Sequence, residues 1–267
     1  MAADEPPITS TTEPLDIDAR ITGIAALGDP VRRGLYRFVV AQAAPVNRDQ
    51  AAEGAGVARH VATFHLARLV DDGLLEVTYA RPAGRGGPGA GRPAKLYRRS
   101  PRELAVSLPQ RDYELAGRLL ARAVATAERD RVPVGDALRD AAREVGESLG
   151  RRASGQAGSR PSRTAVLAAT TEVLSECGYE PRPDATGVTL ANCPFHALAQ
   201  DYTDLVCGMN LELMTGLVVG LDASDLEARL EPRPGQCCVR LAKSEPARPG
   251  TSVSTFDSSS EPTDDTA

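Results

Sequence analysis

Hydrophobic residues recur at every third or fourth position along the first third of the chain, which predicts short amphipathic helices. The clearest pattern spans residues 57–72, where Ala62, Leu66 and Leu69 fall on one helical face. Gly73 follows at the position where a left-handed residue ends a helix. The opposite face of this helix carries mainly polar side chains, so it is predicted to face solvent or a partner.

Two strand-like segments follow the predicted helix, Leu74–Tyr79 and Lys95–Arg98. They are joined by Arg81–Pro93, which is too rich in glycine and proline to form a helix. Together these segments predict a β-hairpin with a basic tip. A helix, a turn, a second helix and such a hairpin form the winged helix-turn-helix arrangement, which reads DNA.

The helices upstream are indicated by their caps. Asp29 precedes a helix that has Pro30 at its first position and continues to about Ala41, and Asn47 caps a helix at Arg48–Glu53. A further helix is predicted near Ile21–Leu27. These helices supply the first half of the helix-turn-helix.

Residues Leu27–Arg99 resemble the winged helix-turn-helix of ArsR-type transcriptional regulators. The resemblance is carried, in this order and spacing, by Leu27–Arg33, His65–Leu69, Gly73–Leu75 and Gly91–Tyr97. The sequence departs from the family at Ala58, where a capping serine is more usual, so a looser first turn of the recognition helix is expected.

The predicted DNA contacts fall into three groups. Arg59, His60 and Thr63 are expected to contact base edges in the major groove. Phe64 is expected either to touch a thymine methyl group or to pack on a neighbouring helix. Phosphate contacts and wing contacts are assigned to Arg48, Arg68, Arg85, Arg92 and Lys95. For each arginine, plain neutralisation of phosphate is the alternative.

Charge separates the chain into a basic and an acidic part. Between Val31 and Arg99 there are 12 Arg or Lys and 5 Asp or Glu residues, a formal charge of +7, although the whole chain carries −5. The remainder therefore carries −12. A basic module joined to an acidic one suits a protein that touches phosphate with one part only.

A helical pattern is predicted from Arg102 to about Leu149, and a polar break at Arg151–Arg160. Because winged-helix regulators bind two-fold DNA sites as pairs, a homodimer through Asp112–Arg129 is expected. The alternative is that this helix packs only on its own C-terminal domain.

All five cysteines lie between Cys177 and Cys238. A predicted helix at Thr164–Cys177 and a strand at Gly187–Asn192 precede Cys193, which is placed at the start of a helix with Pro194 as its first residue. Near the positive end of that helix, the Cys193 thiol would favour the thiolate form, which binds metal.

The spacing of the cysteines restricts how they can meet. Cys193 and Cys207 are 14 residues apart, about 21 Å along one unbroken helix. A break at Gln200–Thr203, with Thr203 as a cap, would let the chain fold back and bring them together. The strands Leu226–Leu230 and Cys237–Leu241 are expected to pair, and adjacent cysteines on a strand face opposite ways.

Residues Thr164–Leu241 resemble the sensor domain of Suf-type iron–sulfur repressors, through Asn192–His196, Cys207 and Gly235–Cys238. The resemblance implies an iron–sulfur cluster as cofactor. The ligands that it implies are Cys193, Cys207 and Cys237 or Cys238, with Cys177 and His196 as further candidates. Zinc or another metal, and bare redox-active thiols, are the alternatives.

The expected fold class is α+β, mainly α. The expected segments are a disordered N-terminus (1–18), the winged helix-turn-helix domain (19–100), a helical dimerisation and connector region (101–150), a small α+β sensor domain (161–242) and a disordered acidic tail (243–267). The protein is expected to be a dimeric, sequence-specific transcriptional repressor located in the cytoplasm. It is expected to bind double-stranded DNA and not to bind a membrane. An enzymatic or small-molecule-binding C-terminal domain is the lesser alternative, and the chain is predicted not to be an enzyme.

Overall fold

The computed structural model describes residues 17–80, 93–157 and 162–244. Within these ranges the chain forms nine helices and seven strands, which confirms the predicted α+β, mainly α fold. The elements divide into two compact units, residues 1–111 and residues 112–267. The hairpin tip with Arg85 and Arg92, and most of both predicted disordered ends, lie outside the described residues.

The first unit contains helices and a small sheet. In chain order its described elements are α1 (Ile17–Ala26), α2 (Pro30–Val40), β1 (Val46–Asn47), α3 (Arg48–Gly54), α4 (Arg59–Asp71), β2 (Leu75–Ala80) and β3 (Ala94–Arg99). The predicted caps are confirmed: Asp29 accepts a hydrogen bond from the Arg32 amide, and Asn47 forms a capping box with Gln50. Ala58 caps α4 without a side-chain bond, as expected.

The core of the first unit lies where α2, α3 and α4 meet the sheet. Leu35 of α2 and Leu66 and Leu69 of α4 are fully buried there. The strands are antiparallel in the order β1-β3-β2, and Gly73, with a φ of 75°, makes the turn from α4 to β2. One face of α4 therefore packs on the core, and among the described residues its other face is exposed.

The second unit contains five helices and a four-stranded sheet in its described part. In chain order its elements are α5 (Tyr113–Asp130), α6 (Val134–Ala157), α7 (Arg163–Glu176), β4 (Pro181–Asp184), β5 (Gly187–Leu190), α8 (His196–Asp201), α9 (Thr203–Gly220), β6 (Leu226–Leu230) and β7 (Val239–Lys243). The sheet is antiparallel in the order β4-β5-β7-β6. Pairing of β6 with β7 confirms the predicted C-terminal hairpin.

Helices α6 and α9 cross with their backbones in contact, because glycines lie at the crossing. A Cβ atom on Gly146 would lie 1.9 Å from the Leu213 carbonyl oxygen, and one on Gly216 would lie 2.0 Å from the Arg143 carbonyl oxygen. No real Cβ approaches a backbone atom so closely. The crossing fixes α9, which carries Cys207, against the longest helix of the unit.

Two predictions about the middle of the chain are wrong. Residues 101–112 form no helix, and α5 begins only at Tyr113, where the Asp112 carboxylate accepts a hydrogen bond from the Leu115 amide. Pro101 and Pro109, which lack an amide proton, disfavour helix in this segment. The predicted break at Arg151–Arg160 is also wrong for residues 151–157, which belong to α6, where Ala153 is completely buried.

Candidate functional site

The outward face of α4 carries the side chains predicted to read bases. While Ala62, Leu66 and Leu69 are buried against the core, the exposed residues of this helix include the predicted contacts Arg59, His60, Thr63, Phe64 and Arg68. One face of α4 thus packs on the core, and the other carries mainly hydrogen-bond donors. Such donors can contact base edges in the major groove.

Arg59 is oriented by a neighbouring acid. Its Nε atom lies 2.7 Å from Oδ1 of Asp49 on α3, and the Arg48 Nε atom lies 3.5 Å from the same oxygen. All three side chains are more than a third exposed. Two predicted DNA contacts are therefore brought together at one carboxylate on the surface of the first unit.

Phe64 extends into solvent, with 63% of its surface exposed. Its ring meets that of His65 edge to face, with the centroids 5.2 Å apart. Of the two expectations for Phe64, contact with a thymine methyl group agrees with this exposure, whereas packing on a neighbouring helix is not observed within the described residues.

At the base of the hairpin, Lys95 lies with its Nζ 5.3 Å from the centroid of the Tyr97 ring. Tyr97 itself is buried, and Tyr79 on the paired strand is 66% exposed. Tyr79 on β2 is paired with Lys95 on β3, so an exposed aromatic ring and a lysine lie beside one another on the hairpin. Both suit contact with a DNA backbone.

The second unit brings its cysteines together from three separate segments. Cys193, Cys207 and Cys238 line one cavity of about 170 Å³, together with His196. The predicted fold-back is confirmed, because α8 ends at Asp201, α9 begins at Thr203 and Cys207 lies in its second turn. Thr203 is not the cap, however: its hydroxyl donates to the Ala199 carbonyl.

Neighbouring thiols act on Cys237. The thiol of Cys193 lowers the pKa of Cys237, but the thiol of Cys238 and burial outweigh it and raise that pKa to about 11. Burial raises the pKa of Cys207 as well. We call Cys193, Cys207, Cys237 and Cys238 the cysteine site.

Two local predictions about these cysteines are wrong. Cys193 does not begin a helix, because α8 starts three residues later and Pro194 and Phe195 form a turn. Cys237 and Cys238 do not lie on a strand, since β7 starts at Val239. The rule that neighbours on a strand face opposite ways therefore does not apply, and both sulfurs join the same cluster of thiols.

Cys177, the less certain ligand candidate, lies apart from the cavity wall. It caps the C-terminus of α7, and burial raises its pKa to about 12 although the positive charge of Arg152 opposes this. A thiol with that pKa stays protonated at neutral pH. His196, the other uncertain candidate, is exposed and does line the cavity.

Sequence reasoning missed two residues of the site. Asn210 on α9 is completely buried and donates from Nδ2 to the Cys237 sulfur at 3.1 Å. The hydroxyl of the buried Tyr179 donates to Asn210 Oδ1 at 2.5 Å. A single asparagine among Met209, Leu211 and other apolar residues of α9 was the available signal, because a buried amide needs partners.

Within the described ranges, no group of three or more His, Cys, Asp or Glu side chains has the arrangement of a metal site. The cysteine site is thus a group of neighbouring cysteines that, among the described residues, lacks the arrangement of a metal site.

Comparison with known families identifies part of the first unit. Residues 27–78 match a family model described as a helix-turn-helix domain. Residues 27–78 form a helix-turn-helix domain. In this domain α3 and α4 form the helix pair, and the predicted recognition helix is α4. The match supports the predicted DNA-binding regulator, and it does not extend to the cysteine site.

Two further comparisons, with curated proteins and with solved structures, identify no additional domain. No curated protein matches the chain. One solved structure that matches is human N-acetylserotonin methyltransferase in complex with SAM, at 17% identity and a TM-score of 0.20, covering 63% of this chain and 59% of that one. Since that protein is an enzyme, the match contradicts the prediction that this chain is not one, and we withdraw that prediction. A TM-score of 0.20 carries no argument for a shared fold or activity.

Within the described residues, no helix is both long enough and apolar enough to cross a membrane.

Proposed function

We propose that this chain is a sequence-specific transcriptional repressor that binds DNA as a homodimer and senses its signal through an iron–sulfur cluster at the cysteine site. The exposed face of α4 in a matched helix-turn-helix domain carries the DNA-binding part of the proposal. The meeting of cysteines from three segments carries the sensing part.

The homodimer is supported by a stripe of residues on α5. Tyr113, Gly117, Leu120 and Val124 recur at helical spacing on a face about 100° around the helix from the buried Ala116, Leu119 and Ala123. Tyr113 and Val124 are 43% and 46% exposed. Such a partly exposed apolar stripe is suited to pairing with a second copy of the same helix, which would supply two recognition helices for a two-fold site.

The cysteine site offers thiols of the type and number that a cluster needs, and they would have to rearrange to bind one, since the described residues do not have the arrangement of a metal site. Iron–sulfur clusters are held by cysteine thiolates, and Cys193, Cys207 and Cys237 or Cys238 would hold one here. His196 lies beside the same cavity as a further donor. When bound, the cluster supplies a reversible electron change. Binding requires the thiols to lose their protons.

The proposed regulation is a two-state coupling. The three segments that carry the cysteines are the loop before α8, helix α9 and the loop before β7. A cluster joining them would favour one conformation of the second unit, and hence one dimer geometry. A coupling of about 1–3 kcal/mol is enough, since this range corresponds to changes in affinity of about 5- to 150-fold.

The test begins with protein purified without oxygen. Iron and acid-labile sulfide are measured with the visible spectrum for the wild type, Cys193→Ser and Cys177→Ala. We expect both elements in the wild type and Cys177→Ala, and neither in Cys193→Ser. An operator selected from random DNA is then bound by wild type and Cys193→Ser. Equal affinity and equal response to air in these two proteins would overturn the sensing part alone.

A second candidate is a thiol switch without a cluster, which the proximity of the thiols favours. Hydrogen peroxide would oxidise Cys193 and Cys237 to a disulfide, taking one hydrogen from each thiol and leaving two molecules of water. Mass spectrometry of protein treated with hydrogen peroxide would show the disulfide.

Zinc retained after purification in air, without visible colour, would favour a zinc site instead.

A further inference from the structure

One large apolar side chain lies on the exposed face of α4. Phe64 is 63% exposed, although Ala62, Leu66 and Leu69 of the same helix are buried. At about 100° per residue, Phe64 lies about 170° around the helix from the mean direction of those three residues. Its side chain is therefore directed away from the core, at the centre of the exposed face.

The position of Phe64 on α4 favours DNA as its partner. His60 and Arg68, each four residues away, lie on either side of it at about 40° around the helix and are exposed. In helix-turn-helix domains the N-terminal part of the second helix contacts base edges, and Phe64 lies in the first half of α4. When α4 lies in the major groove, this ring faces the bases.

The Phe64 ring is held in one orientation and can make only apolar contacts with a base edge. It meets the His65 ring edge to face, with the centroids 5.2 Å apart and an angle of 77° between the planes, an arrangement that aromatic pairs prefer. The apolar group that the major groove presents is the C5 methyl group of thymine. 5-Methylcytosine carries a methyl group at the same ring position.

We propose that Phe64 is a specificity-determining residue that contacts a C5 methyl group in each half of the operator. The protein then prefers thymine to uracil, and 5-methylcytosine to cytosine, at that position. The inference rests on the DNA binding in the proposed function and does not depend on what the cysteine site binds. We expect a change of about fourfold in affinity for one methyl group, which corresponds to about 0.8 kcal/mol.

The experiment uses the full chain and the operator selected from random DNA. Each thymine is replaced in turn by uracil, which removes the methyl group and keeps the base pair. At the position where this weakens binding, 5-methylcytosine and cytosine, each paired with guanine, are then compared. All affinities are measured by competition against the labelled operator, so that weak complexes are measured as well.

The variants separate the methyl contact from other effects of an aromatic ring. Phe64→Ala removes the ring and should keep the fold, because the side chain is exposed and alanine favours helix. Tyr79→Ala is the control, since Tyr79 has an aromatic ring of similar exposure, 66%, that lies on β2 instead of α4.

We expect uracil at one position of each operator half to weaken wild-type binding by about fourfold, and 5-methylcytosine to bind about fourfold more tightly than cytosine. Phe64→Ala should lose both differences, and Tyr79→Ala should keep them. Wild-type protein that showed neither difference, or Phe64→Ala that kept them, would overturn the inference and leave the proposed DNA binding intact. This includes the case in which Phe64→Ala binds every DNA more weakly by the same factor, as a merely structural role predicts. Wild-type protein that selects no operator would overturn both.

Discussion

Arg59 and Asp49 form an ion pair across the helix-turn-helix, with 2.7 Å between the arginine Nε and the carboxylate oxygen. Exposed pairs of this kind contribute only about 0–1 kcal/mol, and both side chains here are more than half exposed. DNA can therefore displace the carboxylate easily. The pair holds the guanidinium at the recognition helix without competing strongly with a base or a phosphate.

Replacing Arg59 with alanine should weaken operator binding by about 1–3 kcal/mol if the guanidinium makes a bidentate base contact. Binding to random DNA should weaken less. Asp49→Asn should raise the affinity for both, since it removes a negative charge near phosphate. Fluorescence anisotropy over a series of salt concentrations would measure these effects.

The control for this comparison is Arg139→Ala, which removes an exposed arginine of the second unit that pairs with Asp136. Its operator affinity should equal that of the wild type. An equal loss of specific and random binding in Arg59→Ala would assign Arg59 to a phosphate instead of a base.

Alanine at Gly146 or Gly216 should destabilise the second unit. The added Cβ would collide with a backbone oxygen of the opposing helix, and overpacking of this kind costs about 1–3 kcal/mol or more. Gly155→Ala is the matched control on α6, where a Cβ meets nothing within 4 Å. It should stabilise the protein by about 0.5–1 kcal/mol. Urea unfolding followed by circular dichroism would decide, and equal effects at the two sites would contradict the close crossing.

Charge placed on the α5 stripe should prevent dimer formation. Val124→Glu introduces a carboxylate at the proposed interface, whereas Ala125→Glu introduces it at the next position, about 100° away around the helix. Sedimentation velocity should give a monomer for Val124→Glu and a dimer for Ala125→Glu. A dimer in both variants would exclude this face of α5 as the interface.

The stability of the second unit should depend on pH through Asp184. Hydrogen bonds from the Thr186 hydroxyl and amide, with the charge of Arg240, lower the pKa of Asp184 to about 2. Because the pKa in the folded protein lies below the ordinary value for an aspartate, about 3.9, the stabilisation is present above that value and is lost as the pH falls towards 2.

The variant that tests this dependence is Asp184→Asn. It should be less stable than the wild type near pH 7, and the difference should disappear between about pH 4 and pH 2, where the wild-type carboxylate becomes protonated. Urea unfolding at a series of pH values measures it. A difference independent of pH would mean that the charge of Asp184 contributes nothing.

Local patterns predicted the helix-turn-helix closely. The caps at Asp29 and Asn47, the stop at Gly73 and the apolar face of α4 all depend on neighbours within a few residues, and a sequence displays such neighbours directly. The fold-back between Cys193 and Cys207 was predictable for a related reason, because one helix could not place them together. The same local reasoning failed at residues 151–157, where Ser154 and Gly155 favour a break but burial of Ala153 and the crossing on α9 maintain the helix.

Three features could be read from the sequence alone. They are the helix ends that caps and turns mark, the polar face of α4, and the position of all five cysteines in one half of the chain. Only the tertiary structure decided that Cys237 and Cys238 join the same group of thiols, that Cys177 lies apart from the cavity, and that Asn210 and Tyr179 reach the site. The physical reason is range. Periodicity and caps act over one or two helical turns, whereas the bond from Asn210 to Cys237 joins residues 27 positions apart, and packing alone brings them together.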